Sequence, residues 1–353
     1  MELKDLGWSD LFASHFEVYA EQGYTVGRVA AEFKNLYRIY TERGEFLAEV
    51  TGKMRHQAAG REDFPAVGDW VVISEHMQER RATIYAILPR NSKFSRKVAG
   101  FATEEQIVAT NIDTVFLVSA LNNDFNLRRI ERYLILAWES GAVPVIVLSK
   151  ADLCEDAAQK VAEVESVAFG VPIHVISPIR SEGLETLSPY FVEGHTVALL
   201  GSSGVGKSTL INCLMGEETQ RVNETRQDDD RGRHTTTYRE LMLIPNGGLI
   251  IDTPGMRELQ LWEASDGLSS TFEDIEQLAQ QCYFNDCKHQ NEPNCAISGA
   301  LDAGTLNRER YESYRKMEME LTRIALKMEV KLRAIEKQKG KQHSSFRRSI
   351  KKR

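Results

Sequence analysis

The chain has 353 residues, which at about 150 residues per domain predicts two or three domains rather than one. With 42% hydrophobic and 27% charged residues it is neither disordered throughout nor collagen-like. A formal charge of -7 would argue against a nucleic-acid partner if it were evenly spread, but from Lys331 to Arg353 ten basic residues face the single acid Glu336, a net of +9 that leaves -16 for the rest. That asymmetry predicts either a tail that reaches a polyanion or a solvated terminus. No apolar run approaches the roughly 18 residues of a membrane span, and the opening MELKDLGWSD lacks the basic-then-apolar layout of a secretory signal. A soluble, cytoplasmic protein without a membrane partner is expected. Five cysteines do not make a disulfide scaffold; three of them, Cys282, Cys287 and Cys295, fall close together with His289.

In chain order, residues 1 to 20 fit a short helix or a docked strand, and the pattern does not decide between them. Five short strands follow, over Thr25–Ala30, Leu36–Tyr40, Glu45–Thr51, Asp69–Ser74 and Ala82–Leu88. Their number and size predict an oligonucleotide-binding-type (OB) barrel. Tyr37, Arg38, Tyr40 and Arg43 are of the type that stacks on and neutralises a single strand; the plainer reading is barrel aromatics with solvated arginines. Beyond Gly100, DTVFLVSAL (113–121) and VPVIVL (143–148) are apolar runs suited to a buried parallel sheet. Between them Ile130, Tyr133, Leu134, Ala137 and Trp138 mark one face of a helix. A helix near 155–169 and strands at Ile173–Ile176, Thr196–Leu200 and Leu249–Ile251 continue an α/β domain, and from about Thr271 the pattern is helical with a cysteine-rich interruption.

Gly201-Ser202-Ser203-Gly204-Val205-Gly206-Lys207-Ser208 fits G-x-x-x-x-G-K-S between a strand and a helix, with Thr209 next on that helix. Glycines let successive N–H groups turn inward onto phosphate, Lys207 reaches the β and γ phosphates, and Ser208 offers Mg²⁺ a hydroxyl. Asp252-Thr253-Pro254-Gly255 follows a strand as D-x-x-G does where the Asp serves Mg²⁺ and the Gly N–H senses the γ phosphate. Ser149-Lys150-Ala151-Asp152 resembles the [NT]-K-x-D base-reading motif. The Asp152 carboxylate accepts from guanine N1–H and the 2-amino group, two donors adenine lacks, while the Lys150 stem covers the purine face. Ser149 departs from the usual Asn or Thr, which bears on affinity more than on base choice. Ser177, at the end of the next strand, matches the last and weakest motif. The order is unusual: the base motif precedes the phosphate loop, which precedes D-x-x-G. A circularly permuted sheet keeps the same site and leads the switch directly into the C-terminal segment.

On these motifs, and on GRHTTT at 232–237, the chain resembles the ribosome-small-subunit-dependent GTPase family (RsgA, YjeQ, YloQ) along nearly its whole length. The resemblance implies an N-terminal OB barrel, a permuted GTPase domain and a C-terminal zinc domain, here 1–98, 99–264 and 265–353. It also implies a role in late maturation of the small ribosomal subunit, with GTP hydrolysis stimulated by the subunit. The partners expected are the small subunit, its rRNA and other assembly factors, for a monomer. Met256 stands where small GTPases often carry a water-orienting Gln, so slow intrinsic hydrolysis is expected. His234 in the first switch is the candidate to place the water, against a reading in which it meets only RNA or solvent. Thr236 or its neighbours Thr235 and Thr237 would complete the Mg²⁺ shell.

Cys282-x4-Cys287-x-His289-x5-Cys295 supplies a Cys3His set, the closed tetrahedral shell of one structural zinc. Cys154 and Cys213 read as core thiols, and a helix from about Asn307 to Lys337 carries the basic tail. The rival functions are a nucleotide-regulated RNA-binding scaffold with negligible turnover, and a kinase on the same loop, which Lys150 and Asp152 disfavour.

Overall fold

The computed structural model describes residues 1–97, 105–216, 239–245, 247–252, 265–290, 292–326 and 329–330. After helix α1 (Asp10–Ala20) come strands β1 (Thr25–Phe33), β2 (Leu36–Thr41), β3 (Gly44–Val50), β4 (Trp70–His76) and β5 (Arg81–Ile87), with the short helix α2 (Gly52–Gln57) between β3 and β4. The pairings run β1–β2, β2–β3, β3–β5, β5–β4 and back from β4 to β1, so the five strands close into a barrel and leave no free edge within the ring. Only β3–β5 is parallel. Alternation puts Phe46, Ala48 and Val50 of β3 inside with Val29, Ile39, Val71, Ile73 and Ile84. Helix α1 closes one side through Phe12 and the preceding Trp8, whose rings lie 5.9 and 4.7 Å from that of Trp70.

The interior favours the plainer of the two readings of the barrel aromatics. Tyr37 and Tyr40 are only 4% and 6% exposed, so they fill the barrel wall and present no face to a base. Arg38 is paired with Glu240, and Arg43 with Glu75 at 3.0 Å. Barrel packing, rather than display, sets the aromatic positions here.

A two-stranded ribbon, β6 (Lys93–Lys97) with β7 (Glu105–Thr110), leads into the α/β region. Its strands are β8 (Thr114–Ala120), β9 (Val143–Ser149), β10 (Ile173–Val175), β11 (Thr196–Leu200), β12 (Glu240–Leu243) and β13 (Leu249–Asp252). Their spatial order is β10-β9-β8-β11-β13-β12, parallel except for β12. Helices α3 (Leu127–Ser140), α4 (Ala157–Glu165) and α5 (Lys207–Met215) accompany it. The expected β-α-β series is present, while β6, β7 and β12 were not foreseen. β12 then pairs with β1 at Ala31↔Glu240, so barrel and α/β sheet form one run of eleven strands.

The seam below that pairing is polar and filled. Arg28, 1% exposed, donates to the carbonyls of Leu6, Gly68 (3.2 Å) and Asn111 (2.8 Å), with its guanidinium over the Trp70 ring. Burial lowers its pKa to about 10, which still leaves it charged at neutral pH. Asp69, fully buried, takes a bidentate bond from Arg90 and another from Thr110 Oγ1 at 2.7 Å. At Gly7 a Cβ would sit 2.6 Å from the Gly194 carbonyl, so the N-terminal turn meets the α/β region only as glycine.

Helices α6 (Ser265–Thr271), α7 (Glu273–Ala279), α8 (Ala296–Asp302) and α9 (308–326) form the C-terminal region. It docks on α3, with Gly267 so close to the Ile135 carbonyl that a Cβ would stand 2.4 Å away. The junction is held by Glu131, fully buried on α3, which accepts from Arg128 (2.7 Å), Arg310 (3.0 Å) and Ser313 (2.7 Å). Arg132 adds a bidentate pair with Glu320 at 2.8 Å.

Candidate nucleotide site and metal cluster

β11 is buried along its whole length between β8 and β13, and its C-terminal end feeds the phosphate loop. Gly201 is required by approach, since a Cβ there would lie 2.4 Å from the Val118 carbonyl. Gly206 is required by conformation, at φ +96° just before α5. Ser203 and Val205 are buried, whereas Ser202, Gly204, Gly206, Lys207, Ser208 and Thr209 are partly open. Lys207 Nζ donates to the carbonyls of Gly201 and Ser202, both at 2.7 Å, which holds the ammonium at the mouth of the loop. Asp252 ends the neighbouring strand β13 as a carboxylate only 4% exposed, a hard oxygen donor of the class Mg²⁺ prefers.

The residues expected to read the base stand at the C-terminal ends of β9 and β10. β9 is two strands from β11, or about 10 Å at ordinary sheet spacing. Lys150 takes the left-handed region at φ +58°, turning the chain so that Asp152 falls in the tight turn Ala151–Leu153. Ser177 Oγ donates to Asp152 Oδ1 at 2.6 Å and so fixes the carboxylate. Ser149 Oγ donates to the Val205 carbonyl at 2.6 Å, a direct brace from the base motif to the phosphate loop. The substituted position therefore keeps a bridging donor. Ligand contacts at the carboxyl ends of adjacent parallel strands are where open α/β sheets place them.

In the C-terminal region Cys282 Sγ lies 3.5 Å from His289 Nδ1 and 3.9 Å from Cys295 Sγ, and Cys295 Sγ is 3.5 Å from His289 Nδ1. With Cys287 all four ligand atoms fall within 4.8 Å of one another, a set that could hold a metal ion. A tetrahedral ion with metal–sulfur bonds of about 2.3 Å and metal–nitrogen bonds of about 2.0 Å has edges of about 3.8 Å (S–S) and 3.5 Å (S–N), so the residues fit. His289 adopts φ +57°, an uncommon conformation for a non-glycine residue, at a ligand position. Burial pushes the Cys287 thiol up to about 11. At Cys295 burial also acts upward but is outweighed by hydrogen bonds from Ser298 and His289, which bring it down to about 6.

Residues 87–262 match the family described as RsgA GTPase. The chain is 45% identical over 350 residues to the small ribosomal subunit biogenesis GTPase RsgA of Opitutus terrae, covering 97% of this chain and 95% of that protein. It is 49% identical over 320 residues to the corresponding RsgA 1 of Oceanobacillus iheyensis, covering 90% and 91%. The chain belongs to the RsgA GTPase family. The crystal structure of YjeQ from Thermotoga maritima superposes with TM-score 0.63 at 28% identity, covering 85% of this chain and 99% of that one. YloQ, described as a circularly permuted GTPase, does so with TM-score 0.59 at 23% identity, covering 85% and 95%. Membership makes this chain a GTPase, sets the kinase reading aside, and agrees with the permuted order of motifs along the sheet.

His234, Thr236 with its neighbours, Gly255, Met256 and the basic tail lie outside the described residues. Two residues beside the phosphate loop went unread in the sequence. Arg129 on α3 donates to Ser202 Oγ at 2.9 Å and, bidentately, to Asp124, while Ser202 Oγ itself donates to Asp124 at 2.7 Å. Nothing in the spacing of a helix that covers a sheet marks that contact. Cys154 and Cys213 are partly buried single thiols, away from the metal cluster.

Proposed function

We propose that this chain binds GTP with Mg²⁺ in the pocket described, hydrolyses it to GDP and phosphate, and acts in the cytoplasm on the small ribosomal subunit during its late maturation. The observation that carries the reading is the Ser149–Val205 bond, which ties a guanine-type base motif to a phosphate loop in one pocket. Its carboxylate Asp152, oriented by Ser177, takes guanine N1–H and the 2-amino group, with Lys150 and Ala151 beside the ring. The N–H groups of Gly204 to Thr209 cradle the phosphates, and Lys207 moves from the loop carbonyls onto the β and γ oxygens. Ser208, Asp252 and Thr236 would hold Mg²⁺, which when bound offsets charge on the β and γ oxygens. Gly255 offers its N–H to the γ phosphate, and His234 places the attacking water once RNA orders the first switch.

Zinc is the metal assigned to Cys282, Cys287, His289 and Cys295, since a closed Cys3His shell serves structure rather than catalysis. The relatives from Opitutus terrae and Oceanobacillus iheyensis are named for small-subunit biogenesis, which supports that partner, with its rRNA met by the barrel, the metal cluster and the basic tail. No helix among the described residues is long and apolar enough to cross a membrane. The protein works as a monomer beside other assembly factors. The test is phosphate release from GTP and from ATP, alone and with small subunits, large subunits or free rRNA. Stimulation by small subunits with GTP alone is expected, and His234→Ala should remove it. Equal rates with and without small subunits, or with ATP, would overturn the reading.

A further inference from the structure

The pairing registers place four residues in one row across four strands: Arg38 on β2 opposite Ala31 on β1, Ala31 opposite Glu240 on β12, and Glu240 opposite Asp252 on β13. Residues directly opposite one another share a face of the sheet. Ala31 is small, so the Arg38 side chain reaches over it and pairs with Glu240 two strands away. Beyond Glu240 stands Asp252, a like charge in the position where like charges destabilise a strand pair. The row thus runs positive, neutral, negative, negative, from the barrel to the carboxylate beside the phosphate loop. Two further observations set Arg38 apart from an incidental surface ion pair. Its Nε is buried with no hydrogen-bond partner, a cost retained at this position, and two residues along β2 the Tyr40 hydroxyl donates to the Leu241 carbonyl of β12 at 3.3 Å.

We propose that Arg38 is a positioning residue for the magnesium–nucleotide site: through Glu240 it compensates the charge facing Asp252 while tying β12 to the barrel. The proposal rests on the reading of Asp252 as the magnesium-side carboxylate. It converts a barrel residue of nucleic-acid-contact type into part of the nucleotide site's electrostatics. One consequence is reciprocal. A polyanion that draws Arg38 away from Glu240 makes the site more negative and favours the divalent cation, and cation binding frees Arg38 for the polyanion to the same extent.

The experiment measures affinity for a fluorescent GDP analogue across a Mg²⁺ titration, using full-length protein checked for a cooperative melt. Removing a unit charge at this range should move the half-saturating Mg²⁺ concentration by roughly two- to tenfold. Arg38→Gln should lower it and Glu240→Gln should raise it. The double variant and Arg38→Lys should lie near the parent value. Opposite signs are the signature, because a pair that merely staples the two sheets would shift both single variants the same way. Should Arg38→Gln fold poorly, the swap Arg38→Glu with Glu240→Arg keeps the pair but sets the cation opposite Asp252, and it should raise the half-saturating Mg²⁺ concentration above the Glu240→Gln value. Shifts of the same sign, or none, while Asp252→Asn abolishes the Mg²⁺ dependence, would overturn the positioning role and leave the Asp252 assignment standing. Mg²⁺ dependence persisting in Asp252→Asn would overturn both.

Discussion

Arg310 is the residue whose loss should be felt most widely. Its guanidinium is inside the junction of α3, α7 and α9, with its side chain 4% exposed. It donates to Glu131 at 3.0 Å, to Asp274 at 2.9 and 2.7 Å and to the Thr271 carbonyl at 3.0 Å, and it lies 4.8 Å from the Phe272 ring centroid. Arg310→Met keeps much of the volume and removes every one of those donors. Glu131, with no exposed surface, would retain Ser313 and the partly exposed Arg128 but lose its buried counter-charge. Asp274 is 31% exposed and can rehydrate, so the burden falls on Glu131. Removing one partner of a buried pair costs about 3–5 kcal/mol, a large part of the roughly 5–15 kcal/mol that stabilises a whole domain. Replacing both partners, Glu131→Leu with Arg310→Met, should cost less than the single change because no buried charge is stranded. Urea unfolding followed by circular dichroism gives the totals, and amide exchange of 308–326 shows whether α9 is the segment released. A single-variant cost below about 1 kcal/mol, or a double variant worse than the sum, would refute the assignment of Glu131 as a charge satisfied from the C-terminal region.

Ser149→Ala should weaken GDP and GTP binding about tenfold, since it strands the buried Val205 carbonyl at a cost of roughly 1–2 kcal/mol; Ser149→Thr should retain most of the affinity by calorimetry. Asp152→Asn should exchange guanine for xanthine preference, because the amide donates where the carboxylate accepted, and competition between the two nucleotides reads the change directly. Cys295→Ser should drop bound zinc from one equivalent by elemental analysis and raise amide exchange across 282–302, as metal binding and local folding are one equilibrium. Glu320 has its carboxyl held below the usual range, first by the Arg132 hydrogen bond. That contribution is present above its unfolded value of about 4.5 and fades as pH falls through the folded value. Acid should therefore raise amide exchange in α9, and Glu320→Gln should remove that acid dependence while exchanging faster at neutral pH.

Most of the nucleotide site was legible because its constraints are local. Gly201 and Gly206 are dictated by one close approach and one left-handed turn, and both show as glycine at fixed spacing from Lys207. The Cys3His set is similarly compact, within 14 residues of chain. Barrel strands were readable from alternation, but which of their aromatics faced inward was not. Tyr37 and Tyr40 flank inward-facing Ile39, and the register irregularity between Val29 and Ala31 in the pairing of β1 with β2 disturbs the simple period of two. Contacts set by tertiary pairing left no trace at all. Arg38 and Glu240 are 202 positions apart, and Glu131 and Arg310 are 179 apart, so no window of sequence contains both partners. Strand β12 escaped because four residues, ELML, carry too little pattern to separate a strand from a turn.

The two accessory regions attach at particular places on the sheet, and their placement bears on what they can sense. The barrel joins at β12, three residues after GRHTTT and opposite Asp252. The C-terminal helices join at α3, where Glu131 is two residues from Arg129 on Ser202 of the phosphate loop. These two contacts lie at the phosphate-loop end of the sheet, although the barrel is also fastened at the opposite end through Arg28 on Asn111 and Gly7 on Gly194, while the Asp152–Ser177 pair is carried by β9 and β10 on the other side of β8. GTP and GDP carry the same base and differ only at the γ phosphate, so a region coupled to the base end could register occupancy but not nucleotide state. Through those two contacts the barrel and the helices that carry the Cys3His set reach the phosphate-loop end of the sheet, where GTP and GDP differ. A change there can bias them from two sides without any movement at the guanine contact. Substitutions at Asp152 should accordingly alter which nucleotide is bound, and substitutions at Arg38 or Arg129 should alter how the two nucleotides are told apart.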